Sequence, residues 1–225
     1  MRVLTWNLFH GRAVPGAGRD LLPGFESALA SWEWDVALLQ EVPPWWPPAL
    51  ARACDAQAST APTSRNALLP VRRAVAERWP DVIKSNGGGA NAILVRGTIA
   101  GERRVLLRRW PERRACHAVQ LGDGTWCANL HAQVHSPERA RADIERAASA
   151  TLAWASGGPA VLGGDFNIRT PRAPGFEVLG GGGVDYVLGH GFVAAGPPET
   201  PARGPLSDHA AVIVPVVRRE AAARG

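Results

Sequence analysis

The sequence predicts an α/β protein in which two β-sheets pack together with helices outside. Three observations carry this reading. Short apolar runs of strand length are mixed with stretches of helical apolar spacing throughout the chain. Several of the runs are separated only by turn residues, as at Gly122-Asp123-Gly124, so they pair as hairpins. Hairpins make antiparallel ladders, which argues against a single parallel sheet and for packed sheets.

The elements follow in order. Val3-Leu4-Thr5-Trp6 reads as a first strand that stops at Asn7. Phe25 to Trp34 places Phe25, Ala28, Leu29 and Trp32 at helical spacing. Val36 to Gln40 is a short buried strand running into Glu41. Pro43-Pro44-Trp45-Trp46-Pro47-Pro48 reads as a loop, because proline is excluded from helix interiors and sheet ladders. Asn66 to Trp79 is helical, Asn86 to Gly89 is a turn, and Asn91 to Arg96 is a strand. Val105–Trp110, Ala115–Leu121 and Thr125–His131 form antiparallel sheet. Ser136 opens a long helix to Trp154, with Pro137 in its first turn. Ala160 to Gly164 is a buried strand that meets Asp165. Gly180 to Gly183 reads as a flexible turn, and Val184–Leu188 and Ala210–Val217 are the last strands.

Composition excludes several classes. Of 225 residues, 46% are hydrophobic and 20% charged, which is ordinary for a globular chain. No apolar run reaches the ~18 residues of a membrane span. The opening MRVLTWNLFHGR lacks the layout of a secretory signal. Cys54, Cys116 and Cys127 are too few for a disulfide scaffold, and no CxxC pair suggests zinc. The expectation is a monomer of the reducing cytoplasm, one domain over residues 1–217, and a flexible tail over 218–225. Net charge is +5, and Lys84 is the only lysine among 25 basic residues. Arginine's planar fork suits phosphate, and a basic chain is drawn to nucleic acid. The abundance of Ala, Gly and Pro beside it equally fits a GC-rich genome.

One pattern recurs. A buried apolar strand ends, and the next residue is a carboxylate, an amide or a histidine. Asn7, Glu41, His131, Asp165 with Asn167, Asp185, and Asp208-His209 all sit at such junctions. Any one of them reads equally as a satisfied turn residue. Converging at one sheet edge, they would make a pocket of oxygen and imidazole groups suited to a hard cation and to phosphate.

The segments TWNLFHG, LLQEV, NLH, GGDFN, VDYV and LSDHAAV also stand in the order found in the endonuclease/exonuclease/phosphatase superfamily, which the chain resembles from residue 3 to about 216. That superfamily spans deoxyribonuclease-I-like nucleases, AP endonucleases, neutral sphingomyelinases, inositol polyphosphate 5-phosphatases, deadenylases and tyrosyl-DNA phosphodiesterases. The resemblance implies a four-layer sandwich: two mostly antiparallel sheets face to face, helices outside, and the site on one rim. It implies Glu41 as principal Mg²⁺ ligand (Mn²⁺ as substitute), with Asn7 beside it and Asp208 at or near the metal. It implies Asp165 as base or water positioner, and Asn167 as an amide on a phosphate oxygen or the nucleophile. His209 would contact the scissile phosphate, Asp185 would orient it, and His131 would be a second phosphate-facing histidine. His10 lies near enough to Asn7 in sequence to reach the site.

The departures bear on substrate. Asn167 and Asp185 are separated by only 17 residues, where many relatives carry insertions. The position of His131 is tyrosine in AP endonucleases, and Val-Asp-Tyr at Asp185 differs from the Cys-Asp-Arg of inositol 5-phosphatases. No glutamate stands near Asn91 to orient His131, which favours phosphate binding by that histidine over acid–base work. Trp45 and Trp46 offer a stacking platform for a base beside Glu41, or else a rigid cap over a helix. Arg103, Arg104, Arg108, Arg109, Arg113 and Arg114 form the densest basic stretch, which alternation along a strand would divide between faces. The resulting expectation is a Mg²⁺-dependent phosphoesterase cutting phosphodiester bonds in nucleic acid by metal-assisted in-line attack of water. The alternatives are a phosphatase or phosphodiesterase on a small molecule or lipid headgroup, and a nucleic-acid-binding module without turnover.

Overall fold

The computed structural model describes residues 1–64, 66–82 and 89–219. Among the described residues, twelve strands form two six-stranded sheets. The first contains β1 (Arg2–Asn7), β2 (Val36–Val42), β3 (Gln57–Pro62), β4 (Ala90–Val95), β11 (Phe192–Ala194) and β12 (Val212–Arg218), in the order β11-β12-β1-β2-β4-β3. The second contains β5 (Ile99–Arg108), β6 (Arg114–Leu121), β7 (Trp126–His131), β8 (Ala160–Asp165), β9 (Glu177–Gly182) and β10 (Asp185–His190), in the order β5-β6-β7-β8-β10-β9. Most pairs are antiparallel; β1–β2 and β7–β8 are parallel.

Strand alternation sorts the core into three layers. Val3, Val36, Leu38, Ile93, Val119, Cys127, Val161, Val187 and Val214 meet between the sheets. On the outer face of the first sheet, Leu4 and Trp6 pack against Phe25 and Leu29 of α1 (Leu22–Ser31) and against Leu50 of α2 (Pro47–Ala53). On the outer face of the second, Ala128, Leu130 and Leu162 pack against Ile144, Ala147 and Ala148 of α4 (Pro137–Ala155). α3 (Leu69–Arg78) lies between β3 and β4 in sequence. The Ser136 side chain caps α4 by accepting from the Arg139 amide at 3.1 Å. The expected four-layer sandwich is the observed architecture.

Several local expectations need correction. Pro47 and Pro48 do not extend the loop; they occupy the first turn of α2, where a missing amide hydrogen costs nothing. The first helix starts at Leu22 and ends at Ser31, so Trp32 and Trp34 lie beyond it. Residues Gly180 to Gly182 are part of β9, held by the ladder to β10. β3 carries too few large apolar residues, and β11 at three residues is too short, to be read as strands. β5 starts six residues before its apolar stretch. Arg218 ends β12 and Arg219 pairs with Glu177, so neither belongs to a free tail. Residues 220–225, and Asn86 to Gly88 of the expected turn, lie outside the described residues.

Buried polar side chains tie the two sheets together just below one rim. Gln40 Nε2 donates to Asn129 Oδ1 at 2.8 Å, and Asn129 Nδ2 donates to the carbonyls of Leu39 and Ala92. A buried amide network of this kind makes these bonds in only one relative placement of the sheets. It sets the register from which the rim residues project.

Candidate active site

β1, β2, β7 and β8 all end at that rim, so parallel pairing brings Asn7, Glu41, His131 and Asp165 to one place. β10 begins there, with Asp185 directly opposite Asp165. Glu41 leaves the β2–β4 ladder at a register shift and takes φ +51°, which turns its carboxylate into the rim. His10, Asn167 and Ser207 also have positive φ. Non-glycine residues held this way cost about 1 kcal/mol or more each and cluster at functional sites.

Asp165 is the hub. Its Oδ2 accepts from Asn7 Nδ2 at 3.0 Å, and its Oδ1 accepts from the Asn167 amide at 2.9 Å. His131 Nε2 lies 3.5 Å and His209 Nε2 3.9 Å from Oδ2. Burial, then the charge of Asp185, push the carboxyl up to about 6, against the pull of His209, Asn7 and Asn167. Asn7 Oδ1 accepts from the Phe9 amide at 3.0 Å, and its side chain lies near enough to Glu41 to pull that carboxyl down. Asn7, on the first sheet, therefore braces Asp165 on the second.

The histidines are driven in opposite directions. Burial opposes charge on His209, but the hydrogen bond from its Nδ1 to Asp185 Oδ2 at 2.7 Å, with the charges of Asp185, Asp165 and Asp208, carries it up to about 9. Burial, then the charges of Arg114, His10 and His209, hold His131 well below the usual imidazole range. One rim thus presents an imidazolium and a neutral imidazole side by side.

Glu41 faces a small cavity of about 40 Å³ lined by His10, Thr63, Ser64, Glu112, Arg114 and His131. That is room for an ion and one or two waters, at ~10–15 Å³ each. His10 Nε2 lies 3.1 Å from Glu41 Oε2, and His131 Nε2 lies 3.9 Å from Oε1. Burial raises the Glu41 carboxyl, opposed by Arg114, His209 and Asn7.

The structure thus brings together Asn7, His10, Glu41, His131, Asp165, Asn167, Asp185 and His209. Asp208 stands at the solvent edge, 45% exposed, its Oδ1 4.0 Å from His209 Nε2. The two tryptophans do not join the site. Trp46 is 3% exposed in the core against Phe25, and its ring presses on Gly11, where a Cβ would come within 2.3 Å. It buttresses the turn that carries His10. Trp45 lines a separate cleft with Pro44, Leu69 and Pro70, under the Arg73 guanidinium.

Sequence reasoning missed two residues here. Arg114 is 7% exposed and pairs with Glu112 at 2.6 Å, within the charge field of Glu41 and Asp165. Nothing in a run of arginines marks which one turns inward. Ser207 donates to the Asn7 carbonyl at 2.6 Å and accepts from the His209 amide at 3.0 Å. Its position inside LSDH was the available signal.

The glycines before Asp165 are steric. Gly164 has φ +141°, and a Cβ there would lie 1.8 Å from the Leu130 carbonyl oxygen. Gly164→Ala is expected to lower Tm by roughly 10 °C, from about 3 kcal/mol of strain and overpacking. A thermal melt of the variant checks this.

The donor set fits a divalent ion. Glu41 and Asp165 offer carboxylate oxygens from the two sheets, while Asp185 and His209, whose ligand atoms lie within 4.8 Å of Asp165, are taken up by their own hydrogen bond. Oxygen donors of this kind suit hard cations.

Comparison with known proteins agrees with this fold. No curated protein matches the sequence. Among solved structures, an endonuclease/exonuclease/phosphatase from Beutenbergia cavernae DSM 12333 is similar with TM-score 0.75 at 19% identity, over 97% of this chain and 71% of that one. The mannosyl-6-phosphatase Bt3783 of Bacteroides thetaiotaomicron VPI-5482 is similar with TM-score 0.67 at 15% identity, over 96% and 99%. TDP2 from C. elegans is similar with TM-score 0.63 at 16% identity, over 95% and 74%. The model of the Endonuclease/Exonuclease/phosphatase family matches residues 4–209, and the chain belongs to that family of phosphoesterases.

Proposed function

We propose that this phosphoesterase is Mg²⁺-dependent and cleaves phosphodiester bonds in nucleic acid. The observation that supports the chemistry is the meeting, at one rim, of Glu41, Asp165 and the Asp185–His209 pair, drawn from both sheets, with His131 Nε2 between Glu41 and Asp165. Glu41 and Asn7, with Asp208 at the edge, are the residues that would hold the cation. Asp185 and His209 are already engaged with each other at 2.7 Å, which leaves them to act as a pair. When bound, Mg²⁺ neutralises charge on the phosphoryl oxygens and on the leaving oxygen.

The chain's own groups do the rest. Asp165, with a pKa pushed up to about 6, is poised to orient the attacking water and take its proton near neutral pH. The hydrogen bonds from Asn7 and the Asn167 amide fix its direction. The His209 imidazolium, held by Asp185, meets the charge that builds on a phosphoryl oxygen. Neutral His131 donates a hydrogen bond to a second oxygen. Asn167 Nδ2 is tied to the Ala132 carbonyl at 2.9 Å, which aims its Oδ1 at the water.

Nucleic acid is favoured by the β5–β6 hairpin. Trp110 is 79% exposed, and Arg109 and Arg113 line a cleft beside it. The Arg113 amide donates to Ser64 Oγ at 2.7 Å, which anchors the hairpin to the mouth of the Glu41 cavity. An exposed indole flanked by arginines next to a phosphate site is the combination that stacks a base and grips its backbone. The second reading, a phosphatase on a small phosphorylated molecule, is supported by the small cavity.

Turnover of plasmid DNA, single-stranded DNA, RNA, bis-p-nitrophenyl phosphate and p-nitrophenyl phosphate, with Mg²⁺, Mn²⁺ or EDTA, separates the readings. The expected result is EDTA-sensitive cleavage of the diester and of nucleic acid. Trp110→Ala should then raise KM for an oligonucleotide roughly tenfold, from ~1–3 kcal/mol of lost stacking, and leave KM for bis-p-nitrophenyl phosphate unchanged. Cleavage of the monoester alone would replace the nuclease by the phosphatase. Polyanion binding without turnover of any of these would leave only a binding module.

A further inference from the structure

β3 and β5 are open sheet edges at the same end of the sandwich. They face each other across a cleft of about 270 Å³, lined by Ser59, Thr60, Glu102, Arg103, Arg104 and His117. The volume is at the small end of the range for metabolite pockets, roughly 300–1,000 Å³.

His117 forms the floor. It is 2% exposed, and neither ring nitrogen has a hydrogen-bond partner. The Ser59 backbone approaches the ring without reaching hydrogen-bond geometry. A buried polar group left without a partner costs about 1–3 kcal/mol. Burial holds the imidazole down to about 4, so at neutral pH one nitrogen donates and the other accepts.

Arg104 lies directly opposite His117 in the antiparallel β5–β6 register, so the two side chains share the face that lines the cleft. Among the described residues, no hydrogen bond or ion pair engages the Arg104 guanidinium. Glu102, Arg103 and Arg104 leave one net positive charge at the mouth. The Ser59 and Thr60 side chains add hydroxyls, and Glu102 adds an acceptor for a ligand hydroxyl or ammonium.

We propose that this cleft is a second ligand site, for a small hydroxy- or amino-carboxylate. Its carboxylate pairs with Arg104, and its hydroxyl or amino groups reach His117 and Glu102. A single negative charge balances the mouth, whereas a dianionic phosphate meets Glu102 as a repelling neighbour. The cleft is distinct from the catalytic rim. His117 stands three residues along β6 from Arg114, roughly 10 Å at strand spacing, and the Asn91 side chain bridges to the Ala115 carbonyl between them.

Gluconate and inorganic phosphate serve as probes, read by calorimetry and by the ¹⁵N resonances of the His117 ring in the full chain. Gluconate is expected to bind saturably with Kd of ~0.1–1 mM and to shift the His117 ring signals. Arg104→Ala and His117→Phe should each weaken it about tenfold or more, and Asp165→Asn should bind it as the wild type does. Arg104 is exposed, so Arg104→Ala carries the test if His117→Phe fails to fold. No shift of the His117 signals up to about 10 mM gluconate would overturn the proposal. So would undiminished binding by Arg104→Ala, loss of binding in Asp165→Asn, or tighter binding of phosphate than of gluconate at His117.

Discussion

Asp165→Asn is expected to lower kcat by roughly 10³, about 4 kcal/mol, with little change in KM. The amide keeps the size of the carboxylate and can accept from Asn7 or from the Asn167 amide, though not from both, and it cannot take a proton from water. A purely structural Asp165 would give a different signature, because its loss would unfold the protein. The carboxyl pKa is raised in the fold, from 3.8 to about 6. The folded state therefore binds the proton more tightly than the unfolded chain, and stability falls as pH rises through that window. At neutral pH the ionised Asp165 costs stability. The variant, melted without divalent ions, should have a Tm close to the wild type, relief of the buried charge offsetting the hydrogen bond lost to Asn167. A stable, inactive protein is the expected outcome; wild-type turnover would refute the assignment.

His209→Ala is expected to cost about 10² to 10³ in kcat, the usual loss when one preorganised positive donor is removed from a developing oxyanion. Asp185→Asn should cost less, about tenfold or somewhat more, because the imidazole remains while its orientation and charge weaken. The two variants share one interaction, the 2.7 Å bond between Nδ1 and Oδ2. Their effects should therefore be strongly non-additive, and the double variant should be little worse than His209→Ala alone. Rates for the four proteins with bis-p-nitrophenyl phosphate form the complete cycle. Additive losses would mean that Asp185 does not act through His209.

Much of this was legible in the sequence for a physical reason. A central strand buried on both faces is a continuous apolar run, so β1, β2, β4, β7 and β8 announce themselves, and the polar residue that ends β1, β2, β7 and β8 marks the rim. Ser136-Pro137 gave the start of α4 by capping chemistry alone. Edge strands gave no such signal. Gln57–Pro62 and Glu177–Gly182 are half exposed, and their structure comes from the neighbour that pairs with them. Pro47-Pro48 misled because proline stops a helix interior and starts a helix end equally well.

The site was legible to the same depth. Residues at strand ends could be gathered from the pattern of the runs. What long side chains do after leaving the backbone could not. Trp46 turned into the core, Arg114 turned into the rim, and Trp110 turned to solvent, yet each stands in a stretch of similar residues.

The most direct measurement is a crystal structure grown with Mn²⁺ and a non-hydrolysable phosphorothioate dinucleotide. An anomalous peak against Glu41, with the phosphorus bracketed by Asp165 on one side and His209 on the other, is the expected result. A metal held away from Glu41, or a phosphate seated where Asp165 and His209 cannot both reach it, would contradict the proposed chemistry.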